Sequence, residues 1–337
     1  MKKIIIGVIS IMVMLPIAAQ TEIKLLLEHI EKNNTTLQAL QKQVEAQKLG
    51  NKTGIYLPNP EVEFGYLWGN PEEIGNERSF SITQSIDFPT AYGYRSKISN
   101  MENQNLDMIY NSERINVLWH AKQLAINLTY YNALSKDYEN RVEIAKEIAE
   151  SYQKMYEEST IDILERNQVF MDLITCVNER KSLLNELKAL NGGIEIVFDE
   201  TVIPVNPLPA DFNEWYLKAE SISPSLKYLN QQIEIRRQQV KLNQALSLPK
   251  LSAGYADERI LGEKLQGITI GVSIPLWENK NVVKQAKADI ISSEYSLEDN
   301  KLQYYNRLQN LFNKSVGLQS TAVKYRQALS SYNSVPM

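Results

Sequence analysis

Chemistry-bearing residues are scarce in this sequence. Its 337 residues include one cysteine, Cys176, and two histidines, His29 and His120. A single cysteine excludes an internal disulfide and a cysteine-built metal cluster. Cys176 lies inside a long helical run and reads as a small apolar residue on a packed face. The histidines are far apart and belong to no ligand motif; HExxH, a glycine-rich phosphate loop and a nucleophile elbow are all missing. No catalytic residue, metal ligand or cofactor is assigned, and the chain is read as not an enzyme. Charge of one sign is lacking too. The 40 acidic and 36 basic residues leave a formal net charge of −4, with no lysine/arginine block beyond the first residues. Nucleic acid is therefore not an expected partner. Glycine (14) and proline (12) are few and 43% of residues are hydrophobic, which argues against a disordered chain.

Long apolar runs are confined to the start. Met1-Lys2-Lys3 is basic, Ile4 to Ile17 is apolar, and Ala18-Ala19-Gln20 supplies small residues for cleavage. This is the pattern of a secretory signal peptide over residues 1–20. No later segment is long and apolar enough to span a bilayer as a helix, so any membrane insertion must use strands.

What is abundant is helix. From Tyr94 to Asn191 there is neither glycine nor proline. As one helix, these residues (about 98) would form a rod of roughly 147 Å, too long for an ordinary domain. Leu124, Leu128, Tyr131, Leu134, Tyr138 and Val142 recur at the period of a packed seam. The run is read as a long antiparallel, coiled-coil-like hairpin, folding at Glu157–Asp162, where Ser159 or Thr160 caps the returning helix.

In chain order, a helix over 21–53 ends at Leu57-Pro58, with a weak point at Asn34-Thr35. The period then becomes two. Val62, Phe64, Tyr66 and Trp68 alternate with Glu61, Glu63, Gly65 and Leu67; after a polar turn, Phe80, Ile82, Ile86 and Phe88 alternate with Ser81, Thr83, Ser85 and Asp87. This makes a β-hairpin over 61–88, with Gln84 the one polar residue on its apolar side. The long helical hairpin occupies 94–190, and a connector with room for a short strand or two occupies 191–211, ending at the cap Asp211. The order then repeats: a helix over 212–247 with a break at Ser223-Pro224, a hairpin over 250–275 with a polar loop from Asp257 to Gln266, and a long helix over 278–335. In that second hairpin Ile268, Ile270 and Val272 alternate with Thr269, Gly271 and Ser273. An internal two-fold repeat, 21–190 and 212–337, organises the chain.

Each hairpin has an apolar, aromatic-rich face and a small or polar face. The strands have the length that crosses a bilayer when tilted, and Trp68 and Trp277 lie near strand ends, where aromatic belts sit. Val62, Phe64, Tyr66, Trp68, Phe80, Ile82, Ile86, Ile268, Ile270 and Val272 are the lipid-facing candidates. Glu61, Glu63 and Asp87 are the lumen-facing candidates. Four strands cannot close a barrel, and open edges are not tolerated in hydrocarbon. Several copies must share one, and three copies give a modest lumen where two do not.

The leader, the duplicated helix–hairpin–long-helix plan, and the Leu-Pro, Asn-Pro-Glu-Val-Glu-Phe and Ser-Ile-Pro-Leu-Trp junctions resemble the TolC-like outer membrane efflux family. The resemblance covers the chain from about Glu22 to its end, and Asn59 to Arg95 looks most like the heavy-metal efflux branch. It implies a mostly α fold with a small membrane β part: a homotrimer whose twelve-stranded β-barrel in the outer membrane is continued by an α-helical barrel through the periplasm. It also implies a periplasmic adaptor and an inner-membrane pump as partners, outer membrane lipid around the barrel, and metal cations or drugs as exported solutes. By the same resemblance Ser159, Thr160, Ile161, Asp162 and Leu164 form the adaptor-facing tip, with Ser159-Thr160 where relatives often carry glycine. Symmetry with the first repeat places a return helix beyond Met337, so the chain reads as truncated or interrupted there. The rival readings are a periplasmic coiled-coil adaptor and a secreted helical protein without a pore. The first would carry one helical hairpin between glycine-rich β domains, and the second would lack period-two strands with aromatic ends.

Overall fold

The computed structural model describes residues 22–153, 160–203 and 207–332. The leader, residues 1–20, lies outside them. The elements run α1 (residues 22–33), α2 (Thr35–Gly50), β1 (Glu61–Leu67), a 3-10 turn (Glu72–Ile74), β2 (Glu77–Ile86), α3 (Thr90–Gln153) and α4 (Thr160–Leu190). They continue with α5 (Phe212–Ile222), α6 (Pro224–Leu246), β3 (Lys250–Ile260), β4 (Glu263–Ser273) and α7 (Val282–Tyr332).

The breaks have local causes. Asn34 separates α1 from α2: its Oδ1 accepts from Leu37 N at 2.9 Å as a cap, and its Nδ2 donates to Leu190 O at 2.8 Å. Ser223 plays the same part between α5 and α6, its hydroxyl accepting from Leu226 N with Pro224 opening the next helix. Asp211 caps α5 through Glu214 N at 2.8 Å.

Five boundaries differ from the expectations. The helix expected over 21–53 is divided at Asn34 and closes at Gly50. Helix α3 starts at Thr90 rather than Tyr94, since Pro89 precedes the first turn, where no helical N–H is required, and Gly93 is carried inside. Helix α7 starts at Val282, after Asn281, whose φ of 67° is not helical. The polar segment 257–266 is strand on both sides of a two-residue turn, Leu261-Gly262, with φ of 51° and 91°. Positive φ at both positions matches the twist of paired strands, so polar side chains do not prevent pairing there. The connector forms no strand among its described residues. Instead Asn132 Nδ2 donates to Phe198 O and Glu200 O, both at 3.1 Å, and Arg180 reaches Asn132 Oδ1 and Asp199, each at 2.7 Å. Side chains hold the backbone that a strand partner would otherwise hold.

The chain forms two compact units that do not follow its linear halves. One takes the chain up to Lys42 and Tyr110–Leu208; the other takes Gln43–Ile109 and the chain from Pro209. Pairing of β2 with β3 draws the first hairpin to the second half of the chain.

The first unit is helical. Ile23, Leu26 and Ile30 of α1 pack with Ala121, Leu124, Ala125 and Leu128 of α3 and Leu183 and Leu187 of α4. Cys176 is buried, which pushes its thiol pKa up. Gly192 follows α4 with a φ of +66°, and a Cβ there would lie 2.5 Å from Asn33 O, so only glycine closes this corner. Arg114 donates to both Glu31 oxygens at 2.7 Å, which holds the Glu31 carboxyl below its usual range. The second unit has its own helical core of Ala91, Ile98, Ile235, Leu242 and Ala245, and it carries all four strands.

The turn expected to form the tip lies in part at 154–159, outside the described residues. The described backbone of α4 begins at Thr160.

Candidate functional site

The four strands form one antiparallel sheet in the order β1-β2-β3-β4. Alternation makes each run a strand, and the register aligns the alternations of the two hairpins. Val62, Ile82, Tyr255 and Ile268 form one row across all four strands. Gln84, Ala253 and Ile270 form the next row toward the helices, and Ile86, Leu251 and Val272 the one after. Phe64 pairs with Phe80 on the other side of the Val62 row, toward the hairpin turns. The junction between hairpins is close. A Cβ at Gly254 would stand 2.6 Å from Ile82 O and 2.8 Å from Thr269 Oγ1, so glycine is required.

These rows share one face. Tyr66 and Trp68 continue it at the turn end, with their rings edge-to-face at 5.2 Å. The opposite face is small and polar: Glu61, Thr83, Gly254 and Thr269 in one row, Glu63, Ser81, Ala256 and Gly267 in the next. All ten lipid-facing candidates therefore fall on one side. Leu251 and Tyr255 share that face; their alternation with Ser252 and Gly254 is the signal that places them there.

The apolar face is the open one. Phe64 is 70% exposed, Ile268 82% and Ile270 83%. In β2 from Arg78 to Thr83 and in the first half of β3, the residues of this face are the more exposed and the small polar residues opposite are the more sheltered. A sheet that covers a water-soluble core shows the reverse. β1 and β4 are edge strands, each with one side unpaired among the described residues.

The carboxylates of the lumen-facing set differ from one another. Glu61 and Glu63 are exposed on the polar face of β1. Asp87 lies one residue beyond β2 and is ion-paired, its Oδ2 2.6 Å from Arg95, with its side chain 14% exposed. Its role is to tie the end of β2 to the second turn of α3, and it is not a freely solvated charge. Nearby, Gln84 Nε2 donates to Pro58 O at 2.9 Å, which gives this polar residue of the apolar face a partner.

Among the described residues, no group of three or more His, Cys, Asp and Glu is placed to hold a metal ion, and no helix is long and apolar enough to cross a membrane.

Comparison of the sequence with known families and with curated proteins finds no match. Comparison of the fold with solved structures does. The chain is similar to the crystal structure of CusC, with a TM-score of 0.67 and 14% identity over 93% of this chain and 79% of that one. It is similar to the Vibrio cholerae outer membrane protein VceC at TM-score 0.68 and 12% identity, covering 92% of this chain and 83% of that one. The Campylobacter jejuni outer membrane channel CmeC matches at TM-score 0.62 and 15% identity, covering 94% and 77%. The long helices with one small antiparallel sheet are thus the fold of these solved outer membrane proteins, reached by a sequence that shares few residues with them.

Proposed function

We propose that this chain is one subunit of a trimeric outer membrane channel that conducts exported solutes passively, fed by a periplasmic adaptor and an inner-membrane pump. The observation that carries this reading is the sheet itself: an exposed apolar face, a small polar face opposite, and two open edges. Hydrocarbon satisfies the apolar face but no backbone group, so both edges must pair. The strands alternate in direction, so β4 of one copy runs antiparallel to β1 of the next. Three copies of the four strands then supply twelve, enough for a lumen lined by serine, threonine, glycine and glutamate. Small residues suit the concave side, where neighbouring side chains converge. The leader delivers the chain beyond the inner membrane, and the solved proteins it resembles include outer membrane channels.

Within this reading Glu61 and Glu63 repeat around the lumen as carboxylate rings and favour cations. Metal cations and cationic drugs are the solute classes that fit such rings. The turn around Ser159–Asp162, with Leu164, is the end that meets the adaptor. Planar-bilayer recordings on the full chain test the proposal. Wild type should insert from detergent and give stepwise conductance, and E61Q/E63Q should lower its preference for cations. A protein that stays in solution without detergent and never conducts would overturn the channel. Conductance with unchanged selectivity would remove only the rings.

A further inference from the structure

The hairpin-turn end of the sheet carries opposite charge on its two faces. On the apolar side, the row beyond Phe64 and Phe80 is Tyr66, Arg78, Arg259 and Lys264, one residue from each strand. On the polar side the two flanking rows carry Glu258 with Leu265, and Glu77 and Glu263 with Leu67 and Ile260. Adjacent cations across a sheet repel one another, so a row of three has a cost that some anion must offset. Asp257 supplies one, with its oxygens 3.1 Å from Arg259 Nε and 2.9 Å from Lys264 Nζ. Three cations against one carboxylate leave the row positive. The glutamates opposite do not neutralise it, because the pleat aims them to the other side. Arg259 and Lys264 remain 61% and 45% exposed while paired, and the Arg78 guanidinium lies over the Tyr66 ring at 5.6 Å.

We propose that Arg78, Arg259 and Lys264 form a binding row for the phosphate groups of lipid headgroups in the leaflet around the hairpin turns. This rests on the channel reading above, which puts the apolar face in lipid. At about 3.4 Å per residue, the row stands roughly 7 Å past the Phe80 row, the depth at which hydrocarbon gives way to headgroups. Tyr66 and Trp68 beside it are the residues that favour that interface. Guanidinium groups match phosphate geometry, and long cationic side chains reach headgroups from the edge of an apolar surface. On β1 and β2 the row adjoins Phe64 and Phe80 and, beyond them, Val62 and Ile82, so the acyl chains of a bound lipid lie along the same face. This continuity selects a lipid over a free phosphate ion.

The test uses the full chain in neutral detergent, titrated with diphosphorylated lipid A, with the same lipid after phosphate removal, and with inorganic phosphate. Native mass spectrometry counts the lipids bound. Wild type should bind the phosphorylated lipid with a midpoint about ten-fold lower than R78Q/R259Q/K264Q, from the loss of the row's net charge. The conservative R78K/R259K should keep most of the binding, and K227Q/K241Q, on helix α6, should match wild type. The dephosphorylated lipid should not distinguish wild type from the triple variant, and inorganic phosphate should not displace the lipid. Equal midpoints for wild type and the triple variant, or displacement by inorganic phosphate, would overturn the proposal. If the triple variant misfolds, K264Q alone, with a smaller shift in the same direction, carries the test, and no shift overturns it. The bilayer recordings separate the two readings. Conductance without phosphate-dependent binding removes this row alone, whereas absent conductance in wild type removes the channel beneath it.

Discussion

In the helical unit, Ile30, Leu128 and Leu187 are fully buried at 0% exposure, while in the sheet Ile268 and Ile270 stand at 82% and 83%. The residue types are the same, and the difference lies in what each element offers a partner. A helix with a stripe at spacings of three and four buries it against neighbouring helices, as α1, α3 and α4 do. A strand commits every second residue to one face, and four strands in register make that face continuous. Nothing in the described chain covers it. A water-facing sheet of this kind is an aggregation surface, so the molecule's own geometry calls for a non-aqueous neighbour on that side.

Three substitutions put this contrast to the test. The largest effect belongs to the helical core. Leu128→Ala should cost about 2–5 kcal/mol, read as a lower thermal midpoint of the full chain in detergent. Ile268→Ala should leave that midpoint nearly unchanged, and a comparable fall at both positions would erase the distinction. Next, Ile268→Arg should cost about 2–4 kcal/mol when the protein is folded in lipid vesicles and titrated with urea, the range for a cation on the lipid side of a barrel. Thr269→Arg, one residue on and facing the other way, should cost far less; equal penalties would mean that the two faces see the same medium.

The smallest effect is electrostatic. Glu31 has its pKa depressed by Arg114, so the pair stabilises the folded state above the unfolded carboxyl pKa, and the contribution fades as pH falls through the lower folded value. Both side chains are about one-third exposed, 35% and 37%, so solvent screens the pair. Its worth is under about 1 kcal/mol. The stability gap between wild type and Arg114→Gln should be present at pH 7 and close in acid. A gap that widens on acidification would contradict the assignment.

Much of this was readable from residue order. The strands of the first hairpin announce themselves by alternation, and Asn34, Ser223 and Asp211 lie at real helix boundaries because short polar side chains satisfy free backbone donors there. The residues 257–266 were misleading for a physical reason. Polarity marks a loop only where strands end in water, and here charged residues occupy strand positions beyond an apolar band. Asp87 was legible as a polar-face residue but not as half of an ion pair, because its partner Arg95 lies past the proline that ends the strand. The row of Arg78, Arg259 and Lys264 was invisible, since its members come from three strands and only register aligns them.

By itself the sequence determined the local periods: three to four for the helices, two for the strands, and the capping residues between them. These depend on backbone geometry and near neighbours, which the order of residues specifies directly. Long-range pairing settles that β2 is the neighbour of β3, in which register the two hairpins meet, and which charges share one row. Those outcomes depend on hydrogen bonds between strands more than 160 residues apart, such as Ile82 and Tyr255. No local pattern encodes which of several compatible registers such strands adopt; the closed ladder of backbone bonds selects it.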